Sequence, residues 1–268
     1  MTTTLDGGSS NNTRNIILRE MGLTPIWVNR DGMADATVAA VSAVSAVSAA
    51  LVTAVNAEPA AIAAPEALVD SPHAAAEREA AIGNLSWDEL IASIAACTAC
   101  KLCKTRTRTV PGVGDRSPAW MVIGEAPGEN EDKQGEPFVG KAGQLLDAML
   151  GAVGKKRGDG VYIANVIKCR PPGNRNPEPD EIAACAPYLN RQIALAQPKL
   201  LLATGKFAAQ TLLNRDDSVA ALRALPAIES ERDGVPIVVT YHPSYLLRSP
   251  LEKAKAWDDL MKATARVA

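Results

Sequence analysis

The sequence predicts an α/β protein in which a parallel β-sheet is covered by helices on both faces. Three observations indicate this class: four short apolar stretches, amphipathic patterns of helical period between them, and turn residues at the junctions. Short apolar runs are typical of strands that are buried on both faces. Strands that alternate with helices along the chain form parallel sheets.

The predicted elements follow in regular order through the second part of the chain. Ser86 and Glu89 form a capping box before a first helix. The predicted strands cover residues 120–123, 161–167, 199–203 and 236–240. The predicted helices that alternate with them cover residues 140–153, 179–196, 206–213 and 251–266. The loops that leave parallel strands at their carboxyl ends meet at one edge of the sheet, and ligands bind there.

The first 82 residues differ from the rest in composition and charge. They are rich in Ala, Val and Ser, and several prolines interrupt any helix. They hold four basic and nine acidic side chains, a net charge of −5, which leaves +3 of the total of −2 for the remainder. We interpret residues 1–82 as a flexible extension and residues 83–268 as one mildly basic ordered domain, which is compatible with a nucleic-acid partner.

Residues 14–30 within this extension combine a short amphipathic pattern with the apolar run Ile26-Trp27-Val28. The segment is either a peptide that docks on a partner, such as a replication or repair protein, or a piece that folds back onto the domain.

The sequence also bounds the cellular setting. Asn56 and Glu58 interrupt the longest Ala/Val tract, so no apolar run is long enough to span a membrane. The N-terminus lacks the order of regions found in signal peptides. We expect a monomeric cytoplasmic protein without membrane contact, in which the five cysteines are thiols or metal ligands and not disulfides.

The loop after the first predicted strand is the most unusual stretch. The strand stops at Gly124, and Glu125, Glu129 and Glu131 follow at once. Phe138 then stands alone in a glycine-flanked loop. Carboxylates at the end of a buried strand predict an active-site loop. An acidic turn beside a core phenylalanine is the alternative.

Four of the cysteines fall into two pairs. Cys97 and Cys100 have C-x-x-C spacing, whereas Cys169 follows the second predicted strand and Cys185 lies in the next helix. Four thiolates from two segments suit a structural zinc ion or a 4Fe–4S cluster, and the spacing does not decide between them. Cys103 is a spare or an alternative ligand, and unligated buried cysteines are the remaining alternative.

Four stretches in this order resemble the family 4 uracil-DNA glycosylases, the iron–sulfur branch of the uracil-DNA glycosylase superfamily. They are CTAC, GEAPGENEDKQGEPFVGKAGQLLD, YIANVIKCRPPGNRNPEPDEIAAC and YHPSYLLR. The resemblance spans roughly residues 85–266 and leaves the extension unexplained.

The resemblance implies a three-layer αβα domain with a central four-stranded parallel sheet. It implies a 4Fe–4S cluster held by Cys97, Cys100, Cys169 and Cys185, with Cys103 outside the ligand set. It also implies that the protein acts on DNA containing uracil. The bond between uracil and deoxyribose would be hydrolysed, which releases uracil and leaves an abasic site.

The resemblance further implies a pocket that receives a uracil taken out of the base stack. Phe138 would stack on the base, and Asn165 would pair with its edge. His242 would face uracil O2, where negative charge grows as the glycosidic bond breaks. Ser244 would lie in a loop that presses on the DNA.

The resemblance also implies roles in catalysis or base binding for several further positions. The backbone from Gly124 through Ala126 to Gly128 would face the base. Glu125 stands where a carboxylate can orient water or offset the positive charge on the sugar. Related branches carry an aspartate at the position of Ala126, so that water-activating residue is missing here. Glu131 and Asn174 match positions linked to catalysis, and either is a candidate for positioning water.

The resemblance leaves several alternatives to weigh. A subtype that bonds covalently to the abasic product carries a basic insertion with histidine before the last cluster cysteine, but residues 169–185 are short and hold no histidine. A catalytically inactive module that binds DNA or a replication protein is one alternative, and an electron carrier is another. The presence of Glu125, Phe138, Asn165 and His242 together favours a monofunctional glycosylase, and no lysine stands in a nucleophile position.

Overall fold

The computed structural model describes residues 72–226 and 230–267. The segment 14–30 lies outside the described residues. The strands are β1 (Val113–Gly114), β2 (Trp120–Gly124), β3 (Val161–Asn165), β4 (Leu200–Thr204), β5 (Glu231–Arg232) and β6 (Val235–Thr240). The helices are α1 (Pro72–Gly83), α2 (Trp87–Ala96), α3 (Glu129–Gln134), α4 (Lys141–Ala152), α5 (Pro179–Ala196), α6 (Lys206–Leu213), α7 (Val219–Arg223), α8 (Pro243–Arg248) and α9 (Lys253–Ala265). None of these helices is long and apolar enough to cross a membrane.

Four strands form the parallel centre of the sheet. The strand order is β1-β3-β2-β4-β6-β5, and β3, β2, β4 and β6 pair in parallel. Every residue of β2, β3 and β4 is buried, as in parallel strands covered on both faces. The predicted parallel core is confirmed. The sheet as a whole is mixed, because β1 and β5 add antiparallel edges of two residues each, too short to show a hydrophobic period.

Two hydrophobic clusters fill the spaces on either side of the sheet. Met121 and Ile123 of β2 point to the face covered by α5 and α6, and Val122 points to the opposite face, which α4 and α9 cover. This alternation follows from the two-residue period of a strand. The structure therefore has the three-layer αβα architecture that the family resemblance implies.

Helix α1 lies within the stretch that the sequence analysis assigned to a flexible extension. Ile82 at its end is buried in a third cluster with Leu90 and Tyr188. Arg78 lies over the ring of Tyr188, 5.1 Å from its centre. The ordered part of the chain therefore begins before residue 83. Low-complexity composition concealed this helix, because its many alanines give little amphipathic contrast.

Two short helices that were not predicted from the sequence follow the loops at the carboxyl-end edge of the sheet. Helix α3 starts after Gly128 and stops at Gly135, whose φ of 82° is left-handed. Helix α8 starts after His242 with Pro243 in its first turn. Both helices follow directly on the loops that leave β2 and β6, so they fix the ends of those loops.

Candidate active site and cysteine cavity

A pocket of about 230 Å³ opens at the carboxyl ends of β2, β3 and β6. It brings together nearly all the residues predicted for catalysis and base binding: Glu125, Ala126, Gly128, Glu131, Phe138, Asn165, Asn174, His242 and Ser244. Gly124 lies immediately behind the lining, at the end of β2. The pocket therefore forms where the topology of a parallel sheet predicts a ligand site.

Asn165 ends β3, and its side chain is buried. Its Oδ1 atom accepts no hydrogen bond within the described chain. A buried acceptor without a donor costs about 1–3 kcal/mol. A Cβ atom on Gly124 would lie 2.3 Å from this oxygen, so only glycine fits beside it. The site thus holds an acceptor that a ligand can satisfy.

Phe138 forms a wall of the pocket together with His242. The two rings stack with centres 5.5 Å apart and an interplanar angle of 29°. The backbone of Phe138 has a φ of 56°, a left-handed conformation that costs a residue with a side chain about 1–2 kcal/mol. A Cβ atom on Gly124 would lie 2.6 Å from the Phe138 ring. The ring is therefore held in a narrow slot against the end of β2.

Glu131 joins the two loops that frame this wall. One carboxylate oxygen accepts hydrogen bonds from the amides of Val139 at 2.9 Å and Gly140 at 3.2 Å. The other oxygen accepts from the Gly128 amide at 3.1 Å. Both oxygens are thus engaged by backbone donors. This geometry fits a residue that holds the loops in place.

Glu125 is partly buried at the N-terminus of α6. Its Oε1 atom accepts a hydrogen bond from the Phe207 amide at 3.2 Å. Burial raises the pKa of Glu125, and the amides of Phe207 and Lys206 partly offset that effect. A Cβ atom on Gly205 would lie 2.4 Å from Oε1, so the close approach requires glycine there. The carboxylate therefore has a fixed position in the pocket.

His242 is neutral and has a defined tautomer. Burial lowers its pKa to about 4, and Arg248 adds to this effect while Glu131 opposes it. The Nδ1 atom accepts a hydrogen bond from the Ser244 amide at 3.2 Å. It also lies 2.8 Å from the Ser244 hydroxyl. Because Nδ1 is an acceptor, the proton resides on Nε2, which can donate to a ligand.

Asn174 and Arg175 also line the pocket. Asn174 Oδ1 accepts a hydrogen bond from Arg170 Nε at 2.7 Å. Arg175 pairs with both oxygens of buried Glu181, at 2.9 and 2.6 Å. Arg175 was not among the residues predicted from the sequence. Its position directly after Asn174, in a motif full of turn residues, was the available signal.

All five cysteines line a second cavity behind this loop: Cys97, Cys100, Cys103, Cys169 and Cys185. No three His, Cys, Asp or Glu side chains of the described residues are arranged to hold a single metal ion. Burial raises the pKa of the Cys100 and Cys169 thiols and raises that of Cys185 to about 12. Without a bound cation, these three thiols are therefore protonated.

Hydrogen-bond donors surround the sulfur atoms. Arg106 Nη1 lies 3.3 Å from Cys169 Sγ, and Arg78 Nη2 lies 3.8 Å from Cys97 Sγ. The Lys168 amide donates to Cys185 Sγ at 3.3 Å. Neutral thiols are weak hydrogen-bond acceptors and gain little from two guanidinium donors. This donor set therefore fits thiolates bound to an iron–sulfur cluster, whose sulfur atoms accept such hydrogen bonds.

Comparison with known proteins identifies the family. The model of the uracil DNA glycosylase superfamily matches residues 111–261. A type-4 uracil-DNA glycosylase of Archaeoglobus fulgidus is 42% identical over 183 residues, which cover 66% of this chain and 91% of the relative. One of Thermotoga maritima is 44% identical over 154 residues, 57% of this chain and 79% of the relative. A type-5 uracil-DNA glycosylase of Pyrobaculum aerophilum is 32% identical over 154 residues, 52% of this chain and 67% of the relative. The chain therefore belongs to the uracil-DNA glycosylase superfamily and, within it, to the type-4 family.

Proposed function

We propose that this chain is a monofunctional uracil-DNA glycosylase, which hydrolyses the bond between uracil and deoxyribose in DNA and leaves an abasic site. The observation that carries the proposal is the unpaired Oδ1 atom of buried Asn165, which lies in a pocket with the stacked rings of Phe138 and His242. A flipped base supplies both the missing donor and a flat face for stacking.

Asn165 distinguishes uracil from cytosine through the direction of its hydrogen bonds. Its Oδ1 accepts from uracil N3–H, and its amide nitrogen donates to O4. Cytosine presents an acceptor at N3 and a donor at N4, so both contacts would face groups of the same kind. Discrimination against cytosine on this basis is strong, because the buried amide of Asn165 and the edge of the base would both be left unpaired.

His242 stabilises the leaving base. As the glycosidic bond breaks, negative charge develops on uracil O2, and the Nε2–H group of the neutral imidazole donates to that oxygen. Because burial lowers the pKa of His242 to about 4, the imidazole is neutral, and no cation is buried in the pocket before the base enters. The loss of one such donor costs on the order of 10²–10³-fold in rate.

Glu125 serves the sugar side of the reaction. Its carboxylate is held at the start of α6 by the Phe207 amide and lines the pocket. From this position it orients the attacking water or offsets the positive charge that builds on the sugar. Asn174 is a second candidate for holding water, and the backbone from Gly124 to Gly128 faces the base. Glu131 acts through the loops that it joins.

The cysteine cavity holds a 4Fe–4S cluster in this proposal, with Cys97, Cys100, Cys169 and Cys185 as ligands. The donors of Arg106 and Arg78 beside two of these sulfur atoms support it. When bound, the cluster supplies iron–sulfur bonds that join two distant segments of the chain.

The test is excision from a labelled oligonucleotide with one uracil, followed by alkali to cut abasic sites. We expect cleavage only after alkali, loss of it in His242→Ala, and full activity in His73→Ala. His73 is the matched control, because it is exposed on α1, where it pairs with Glu77. Cleavage without alkali would contradict a monofunctional enzyme. No cleavage by iron-loaded wild-type protein would contradict the proposed activity altogether.

A further inference from the structure

Arg157 lies outside the pocket but binds the backbone of the residue that forms its wall. Its Nη1 atom donates to the carbonyl of Pro137 at 2.8 Å, and Nη2 donates to the carbonyl of Phe138 at 2.9 Å. Its Nε atom donates to Asp147 of α4 at 3.0 Å. The side chain as a whole is partly buried, with 22% of it exposed. We call Arg157 and its bonds to these two carbonyls the Arg157 clamp.

The clamp acts on a backbone segment that has an unfavourable conformation. Phe138 has a left-handed φ of 56°, which glycine tolerates and phenylalanine avoids. The Phe138 carbonyl is pressed against α4, where a Cβ atom on Gly143 would lie 1.7 Å from its oxygen. Without donors to the carbonyls, the segment is expected to relax away from α4 and to rotate the ring of Phe138.

Two adjacent pairs of residues in this loop are held by side chains of opposite charge. The Arg157 guanidinium holds the carbonyls of Pro137 and Phe138, and the Glu131 carboxylate holds the amides of Val139 and Gly140. A planar guanidinium suits this task, because its donors have a fixed fork geometry that matches two acceptors at once.

We propose that Arg157 is a positioning residue for the base pocket: through the clamp it fixes the ring of Phe138 in the orientation that stacks on the flipped base. This inference rests on the proposed function, because it assigns Phe138 the role of stacking on uracil. Arg157 itself does not line the pocket, and it is expected to influence the base only through Phe138.

A double-mutant cycle tests the clamp. Arg157→Met removes the forked guanidinium donors and keeps the apolar stem. Phe138→Gly removes the ring, and glycine adopts the left-handed backbone conformation of residue 138 without strain. We expect Arg157→Met to lower single-turnover excision by roughly 10- to 100-fold, the scale of a small misplacement of a binding group. In the Phe138→Gly background the same substitution should have almost no further effect. An equal loss in both backgrounds would contradict the proposal, since it would show that Arg157 does not act through Phe138.

Two further variants separate the clamp from general stability. Arg157→Lys keeps the charge beside Asp147 but lacks the fork, so it should lose nearly as much activity and keeps the test available if Arg157→Met does not fold. Asp147→Asn weakens only the pairing on α4 and should retain wild-type activity. Full activity in Arg157→Lys would overturn the proposal.

A binding measurement keeps this inference separate from the proposed function. The same cycle is measured as the ratio of affinities for a uracil oligonucleotide and a matched thymine oligonucleotide. Wild-type protein that releases no uracil would contradict the proposed function, while this ratio would still test the clamp. We expect the ratio to fall in Arg157→Met and to be independent of Arg157 in the Phe138→Gly background. An unchanged ratio in Arg157→Met would overturn the clamp.

Discussion

The base pocket and the cysteine cavity share one loop but are stabilised in different ways. Asn165 at the end of β3 faces the pocket, and Cys169 a few residues later lines the cavity. Lys168 lies between them, fully buried, with its Nζ atom donating to the Asn165 carbonyl at 2.6 Å. The pocket is built from a neutral histidine and carboxylates held by backbone amides. The cavity is built from thiols surrounded by cations.

This difference predicts which site depends on an occupant for its stability. In the pocket, the oxygens of Glu131 and the Nδ1 atom of His242 are already satisfied by the chain itself. In the cavity, Arg78 and Arg106 lie beside the sulfur atoms of Cys97 and Cys169, two of the proposed cluster ligands. We therefore expect changes in the pocket to reduce activity and spare the fold, whereas changes in the cavity reduce both.

The largest effect is expected for Cys169→Ala. The predicted cluster ligands lie on two segments, so loss of one should remove the iron and leave buried thiols and cations uncompensated. Iron content and soluble yield should fall together. Cys103→Ala is the matched control, because Cys103 lines the same cavity but lies outside the proposed ligand set. A soluble, active Cys169→Ala protein would show that the cavity does not depend on its occupant.

Asn165→Asp should have the next largest effect, confined to the pocket. An aspartate cannot donate to uracil O4 when ionised, and base preference should shift or uracil excision fall on the order of 10³-fold. Iron content should remain at the wild-type level. Asn190→Asp makes the same chemical change on α5, where it faces Arg232, and should be fully active. Unchanged excision by Asn165→Asp would refute the assignment of this amide to the base edge.

Much of this comparison could be predicted from the sequence. Buried parallel strands appear as apolar runs, and the residues after them are recognisable because loops at the strand ends carry turn residues and carboxylates together. The family resemblance placed Asn165, His242 and Phe138 in one pocket, and the structure brings them together.

The supporting contacts could not be predicted, because they join positions far apart in the chain. Arg157 binds a carbonyl 19 residues away, and Arg106 reaches a sulfur atom 63 residues away. No local period marks such a residue. Helix α1 was missed for a related reason, since the burial of Ile82 depends on Tyr188 of α5. Sequence patterns indicate which faces are buried, but not which side chain binds a given loop.

A smaller effect concerns the pH dependence of stability. The pKa of His242 is about 4 in the folded protein, against an ordinary value of 6.5. Between these values the unfolded chain binds a proton at His242 that the folded protein does not. The contribution of His242 to the free energy of unfolding therefore falls as the pH drops through that window and is constant above it. The contribution is about 3 kcal/mol. Urea unfolding of His242→Gln should lack this part of the pH dependence, whereas His73→Gln should keep it. Equal slopes in wild-type protein and His242→Gln would show that the imidazole is not desolvated.

The smallest effect is expected for Lys101→Met, which tests whether the two regions are coupled at the surface. Lys101 lies in the cysteine segment and pairs with Glu178 and, at 3.3 Å, with Asp180 at the start of α5. These side chains are half exposed, and pairs of this kind contribute little because water screens them. Iron content and excision should therefore match the wild-type protein. Arg106→Met is the informative comparison, because it removes a donor to Cys169 and should lower iron retention. Lowered excision by Lys101→Met at constant iron content would show that the pocket and the cavity are linked through the surface. The two sites could then not be treated as independently stabilised.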